Sequence, residues 1–344
     1  MVASRTLSAS LLAIAVAAAA PQSAIAPHLR SFLSGSLKFS AGELTDLERG
    51  KIVRHRLDAT APSEVAAVGA VRIAADKDVF VEAYRDIVRF KRGPEVLQIG
   101  RFSNPPVPSD LDSLTITKED ADLRDCRLHD CDVRLPANAI ARVQHEIDWS
   151  AADADARAAA VFKQLLFDHV HAYATGDSGR IAQYDDDKRP VTPLQDFEGL
   201  LKASAYIGSL APGLDAHLRD SPHSPLAGAE DLLYWSKEKF GLTPFITVTH
   251  VTITRDAQGD YVMASKDVYS SRYFDASLTL SIAADAVDGN DGFFLVYMNR
   301  SRASALKGAF AGLRRSIVER RARGSIEENL RGLKLRLEKG FMGK

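Results

Sequence analysis

The sequence predicts an α+β fold: a curved antiparallel sheet packed by a long C-terminal helix, with a mostly helical insertion. Three observations predict it. Two-residue alternation returns four times between Phe245 and Arg300, joined by short turn-like connections, which is the pattern of an antiparallel meander. An apolar stripe of Leu306, Phe310, Leu313, Ile317, Val318 and Ala322 then closes the chain at helical spacing. Between about 104 and 243 no convincing strand appears: a stretch rich in Asp and turn residues runs to about Leu135, and segments of helical spacing follow.

Taken in order, residues 1–26 read as a signal peptide. One basic residue, Arg5, precedes the apolar run Thr6–Ala20, and Ala24-Ile25-Ala26 supplies a small-residue cleavage pattern with the cut after Ala26. Pro27 is unfavourable just after a cut, so an uncleaved anchor is the alternative. No later stretch reaches 18 consecutive apolar residues, so 27–344 is expected to be a single soluble domain, periplasmic or secreted.

Lys51–Leu57 and Glu64–Ile73 alternate as strands. Val79, Phe80, Ala83, Tyr84, Ile87 and Phe90 recur as one helix face, capped by Asp76 or Asp78 and stopped at Gly93-Pro94. Glu95–Phe102 reads as a strand, and Asn104–Pro108 breaks the pattern. Ala151–Thr175 is a long helix ended by Gly176; Asp196–Ile207 repeats the pattern, and short helices and turns run to Leu232-Leu233-Tyr234-Trp235. After the four meander strands the terminal helix breaks at Gly324, and a Ser325…Glu328 capping box starts a second run through Leu330, Leu333 and Leu337.

This element order resembles the START-like, or helix-grip (SRPBCC), superfamily over about 51–103 and 245–338. The resemblance implies an apolar cavity between the bent sheet and the C-terminal helix, with 104–243 as a helical insertion. It rests on element order, so it assigns no residue a role.

The formal net charge is -1, from 44 basic and 45 acidic residues, so no global excess favours nucleic acid as a partner. Segment 300–344 alone is basic, with 13 Lys or Arg against 4 Glu; a solvated face is the plain reading and contact with an anionic membrane the sharper one. Two cysteines exclude a disulfide scaffold, and in an exported chain Cys126 and Cys131 are expected to form one loop-pinning bridge. The alternative, a metal site with His129, Asp130 or Asp132, lacks a second ligand pair.

Other candidates are weaker than they look. Asp168-His169-Val170-His171 lies on a predicted helix, where positions two apart diverge by about 200 degrees. Asp185-Asp186-Asp187 lacks the alternation of a calcium loop. No nucleophile elbow, phosphate loop or dinucleotide fingerprint occurs, so no catalytic residue, metal or cofactor is assigned.

Two strand ends are chemically dense. Asp267–Asp275 and Val296–Arg302 bring tyrosines, hydroxyls and arginines together, and the expected ligand-binding set is Tyr269, Arg272, Tyr273, Tyr297 and Arg300, with His250 on the neighbouring strand. The expected function is binding of a hydrophobic small molecule or lipid. The alternatives are an exported enzyme using His250, Tyr269, Tyr297 and Arg300 in the same cavity, and a structural or interaction module whose sheet is packed full.

Overall fold

The computed structural model describes residues 23–177, 183–239, 243–287, 289, 291–306 and 311–340, without the side chains of 311–317 and 320–323. One eight-stranded antiparallel sheet organises the chain. Its strands are β1 (Val53–Arg56), β2 (Glu64–Ile73), β3 (Val96–Arg101), β4 (Glu230–Glu238), β5 (Phe245–Arg255), β6 (Tyr261–Ser270), β7 (Ala276–Asp285) and β8 (Phe293–Arg302), in the order β1-β2-β8-β7-β6-β5-β4-β3. The four expected meander strands are present, and the last of them, β8, pairs back onto β2 along its whole length.

β4 corrects the sequence reading, which took Leu232–Trp235 as the end of the helical stretch. It pairs with both β3 and β5. Both its faces are covered: Leu232 and Tyr234 join one core, Trp235 the other. A strand buried on two faces loses its alternation, and its apolar run then looks the same as a short buried helix. The chain therefore leaves the sheet after β3 and returns in the adjacent strand.

Between these strands lie α5 (Ala137–Glu146), α6 (Ala154–Thr175), α7 (Pro193–Ala203), α8 (Ile207–Leu210) and α9 (Leu214–Asp220). They cover one face of the sheet together with α1 (Pro27–Gly35) and α2 (Ala41–Glu48). Val262, Ala264, Leu280, Val296 and Met298 meet α1, α2, α7 and α9 there, while Trp235, Ile246, Val248 and Tyr269 meet α5 and α6.

The opposite face takes α3 (Lys77–Arg85), α4 (Ile87–Phe90) and α10 (Ala311–Glu338). The single helix expected over Val79–Phe90 is split at Asp86, whose carboxylate accepts from the Arg89 amide at 3.3 Å. The break expected in α10 at Gly324 does not occur. A mid-helix glycine costs about 1 kcal/mol, and burial of Ile326, Leu330, Leu333 and Leu337 outweighs it. Gly69 on β2 makes that approach possible: a Cβ there would stand 2.5 Å from Ile326 and 2.8 Å from Leu330. Several basic groups of α10 pair within the protein, Arg331 with Glu327 at 2.6 Å and Lys334 with Glu338 at 2.5 Å.

The expected leader lies mostly outside the described residues, but its last four, Ser23–Ala26, are part of the fold. Ala24, Ile25 and Ala26 are buried, Ile25 bridges Ala286, and the Val287 amide donates to Ala24 O at 2.9 Å. A cut after Ala26 would remove these contacts. Among the described residues no helix is long and apolar enough to cross a membrane.

Cys126 and Cys131 form a disulfide, which fits an oxidising compartment. It pins a loop against the acidic segment considered for calcium: the amides of His129 and Cys131 donate to the carbonyls of Asp185 and Asp186 at 2.8 and 3.0 Å. The Asp185 carboxylate in turn accepts from Ala137 N at 2.9 Å, at the start of α5. Burial pushes Asp186 up to about 6.

Candidate functional site

The α10-side face of the sheet changes character along the strands. Near Ile326 and Leu330 it is apolar, with Val71, Ile73, Phe293 and Leu295. Further along it becomes a row of polar cross-strand neighbours: Tyr234 opposite Thr249, Thr249 opposite Asp267, and Ser265 opposite Thr279, which is opposite Asn299. Ser265, Asp267, Thr279, Tyr297 and Asn299 are all half-buried, whereas Ala264, Lys266, Leu278, Leu280 and Met298 on the other face are buried. The same strands are thus filled on one face and carry on the other a half-buried polar strip, the groove.

A bulge creates the groove's central residue. Val248 pairs with Tyr269 but Thr249 pairs with Asp267, so Val268 is an extra residue in β6. Plain alternation would put Asp267 and Tyr269 on one face; the extra residue sends them to opposite faces. Asp267 enters the groove, while Tyr269 joins Phe162, Trp235 and Val248 in the α5–α6 core.

The groove walls come from other elements. Tyr84 projects from α3, Lys91 follows α4, and Tyr234 and Glu238 belong to β4. The Lys91 ammonium donates to the Tyr234 hydroxyl at 3.1 Å and to Glu238 Oε1 at 3.3 Å. Burial works against that charge, but Tyr234 and Glu238 beside it raise the Lys91 pKa above its ordinary value. Asp267 accepts from Thr249 Oγ1 at 3.1 Å. Burial pushes its carboxyl up to about 7, against the pull of Lys91. At neutral pH Asp267 therefore exists as both acid and carboxylate, able to donate or accept a hydrogen bond. Burial also raises the phenols of Tyr84 and Tyr297, which stay protonated as apolar walls with polar tips.

The residues expected from the sequence to line one pocket are distributed over both faces. Tyr297 lies in the groove row. Tyr269 is buried and donates to Arg134 O at 3.0 Å. Arg272 donates to the carbonyls of Asp132, Asp120 and Pro244 at 3.1, 2.5 and 3.0 Å, tying loops together. Tyr273 has a left-handed backbone, φ 68, and its hydroxyl donates to Thr243 O at 3.1 Å. Arg300 is buried on the groove's opposite face, donating to Glu64 Oε1 at 2.6 Å and Asp58 O at 2.9 Å. His250 is also on that face, with Nε2 2.9 Å from Asp231 Oδ1. His169 is buried with Nε2 3.0 Å from Val268 O, and His171 is exposed beside Phe167.

Asp267 stood in the dense segment read from the sequence but was not singled out. Tyr84, Lys91 and Glu238 were missed altogether, because only the packing of α3, α4 and β4 brings them to β6. Fold and groove define an α+β protein with one antiparallel sheet, clad on both faces and open along part of one. Comparison of the chain with protein-family models, with curated proteins and with solved structures returns no match.

Proposed function

We propose that this is an exported binding protein for a small amphiphilic molecule, held in the groove that α3, the end of α4 and β4 wall on the α10-side face of the sheet. The observation that carries the reading is the half-buried polar row from Asn299 to Asp267, set in a sheet whose other face is buried along the same strands. The half-buried rings of Tyr84 and Tyr297 suit the apolar part of such a molecule, and Asp267, Lys91 and the tyrosine hydroxyls suit a hydrogen-bonding head. The disulfide supports export.

Native mass spectrometry of protein purified from an exporting host, with organic extraction of bound material, tests this. A stoichiometric amphiphile whose affinity falls in Asp267→Asn and Tyr297→Phe supports it. An empty protein that no lipid or sterol panel stabilises overturns it.

One observation favours a second reading, an enzyme using the same groove. A carboxyl titrating at about 7 beside a lysine is suited to general acid–base work. Turnover with a pH profile centred near 7 that disappears in Asp267→Asn would select it.

A further inference from the structure

On the opposite face of the sheet, at the junction of the two cores, three potential ligands converge from three elements. His217 comes from α9, Asp231 from β4 and His250 from β5. Their donor atoms lie within 4.8 Å of one another. Strand register explains two of them: Asp231 is directly opposite Thr252, and His250, two residues earlier on β5, points to the same face. A single oxygen, Asp231 Oδ1, is the focus. It stands 3.0 Å from His217 Nε2 and 2.9 Å from His250 Nε2, and it accepts from Thr252 Oγ1 at 2.7 Å.

Both rings are held from behind. His217 Nδ1 is 2.8 Å from Ser224 O, and His250 Nδ1 is 2.8 Å from the Tyr173 hydroxyl. Such partners on the far nitrogen are what orient metal-bound imidazoles. A carbonyl accepts only, so His217 Nδ1 carries a proton and, in the neutral ring, Nε2 turns its lone pair toward the Asp231 oxygen. Either a second proton on Nε2, making a hydrogen bond of the observed 3.0 Å to Asp231, or a metal ion fills the position between them. The rings are buried, 3% exposed each, whereas the Asp231 side chain is 40% exposed, which leaves an approach from solvent on the Asp231 side. Lys266, the neighbouring cation, is held by the Leu218 carbonyl and lies over the Tyr173 and Phe197 rings.

We propose that His217, Asp231 and His250 form a binding site for a divalent transition metal ion, with zinc the best match. Two imidazoles and one carboxylate suit zinc, and ligands about 2.0–2.1 Å from a tetrahedral centre stand roughly 3.3 Å apart; Asp231 Oδ1 is 3.0 and 2.9 Å from the two ring nitrogens, which lie within 4.8 Å of each other. Three protein ligands leave the fourth position on the Asp231 side for water. The cluster is on the other face from the groove and stands or falls independently of it. The second histidine cluster, His28 with Asp256 and Asp260, is the weaker candidate, because Lys77 Nζ already lies 4.0 Å from Asp260.

The test is zinc titration of chelator-stripped full-length protein against a chromophoric competitor, with cobalt(II) absorption as a second readout. One equivalent of zinc at micromolar affinity or tighter is expected, with a tetrahedral cobalt spectrum. His217→Gln and Asp231→Asn should each weaken zinc at least tenfold. Asp231 is the part-exposed member, so Asp231→Asn serves if His217→Gln fails to fold by circular dichroism. No uptake by the wild type means a proton holds the position and overturns the proposal. Uptake unchanged in Asp231→Asn overturns it equally, since the metal would then be bound elsewhere.

Discussion

Asp267 and Tyr269 are two residues apart on one strand and lie on opposite faces of the sheet, because Val268 between them is unpaired in the register with β5. The bulge separates a groove residue from a core residue that the sequence presents as neighbours on one side. Tyr269→Phe should therefore cost stability, about 1 kcal/mol for the lost hydrogen bond to Arg134 O, and leave ligand affinity unchanged. Tyr297→Phe should do the reverse. Paired denaturation curves and binding isotherms check the contrast.

Asp267 sets a pH dependence with a definite sign. Its folded pKa, about 7, lies above the ordinary carboxyl value near 3.9, so the folded state holds the proton more tightly than the unfolded chain. Its contribution to stability is greatest at low pH and declines as pH rises from about 4 through 7. Asp267→Asn should remove that decline and gain roughly 2 kcal/mol at pH 8, a figure reduced from the full linkage value because the group is only half-buried. Urea denaturation of both proteins from pH 5 to 8 measures it.

Glu64 is fully buried, with Arg300 at 2.6 Å, Arg302 at 3.8 Å, and Thr60 Oγ1 donating to it at 2.7 Å. Glu64→Gln leaves the buried Arg300 guanidinium without its countercharge. The expected cost is about 3–5 kcal/mol, read as a lower denaturant midpoint. Replacing Arg300 and Glu64 together by Met and Leu should cost less than Glu64→Gln alone, because no uncompensated charge remains.

The start of the folded unit can be measured directly. Ile25 is 1% exposed and sits in the core with Ala24 and Ala26. A chain beginning at Pro27 should be less stable than one beginning at Ser23 by about 2–3 kcal/mol, the burial of one isoleucine and its flanking contacts. Thermal melts of the two chains decide, and N-terminal sequencing of the protein purified from its native host should place its start at or before Ser23.

Reduction of Cys126–Cys131 should lower stability only modestly, by about 2 kcal/mol, since the bridge closes so short a loop. Melting with and without reductant checks this.

The sequence alone determined the α+β class, the strands β1, β2, β3 and β5–β8 and the long helix α6; the disulfide was expected from the compartment rather than from spacing. The strands and the helix follow from period and spacing, which are local and survive in any tertiary context. What it misread has one cause in each case. β4 is covered on both faces, so its run Leu232–Trp235 carries no alternation; α10 runs through Gly324 because packing on β2 outweighs a local breaker. The site was least legible. Tyr297 could be placed on a strand face, but Asp267 depends on the unpaired Val268, and Tyr84, Lys91 and Glu238 arrive from elements distant in sequence. The histidine cluster is the same: His250 and Thr252 share a face by alternation, but His217 and Asp231 reach them only when α9 and β4 close over β5. Local periodicity fixes which side of an element a residue occupies, whereas the meeting of side chains depends on register, bulges and the packing of helices on a sheet.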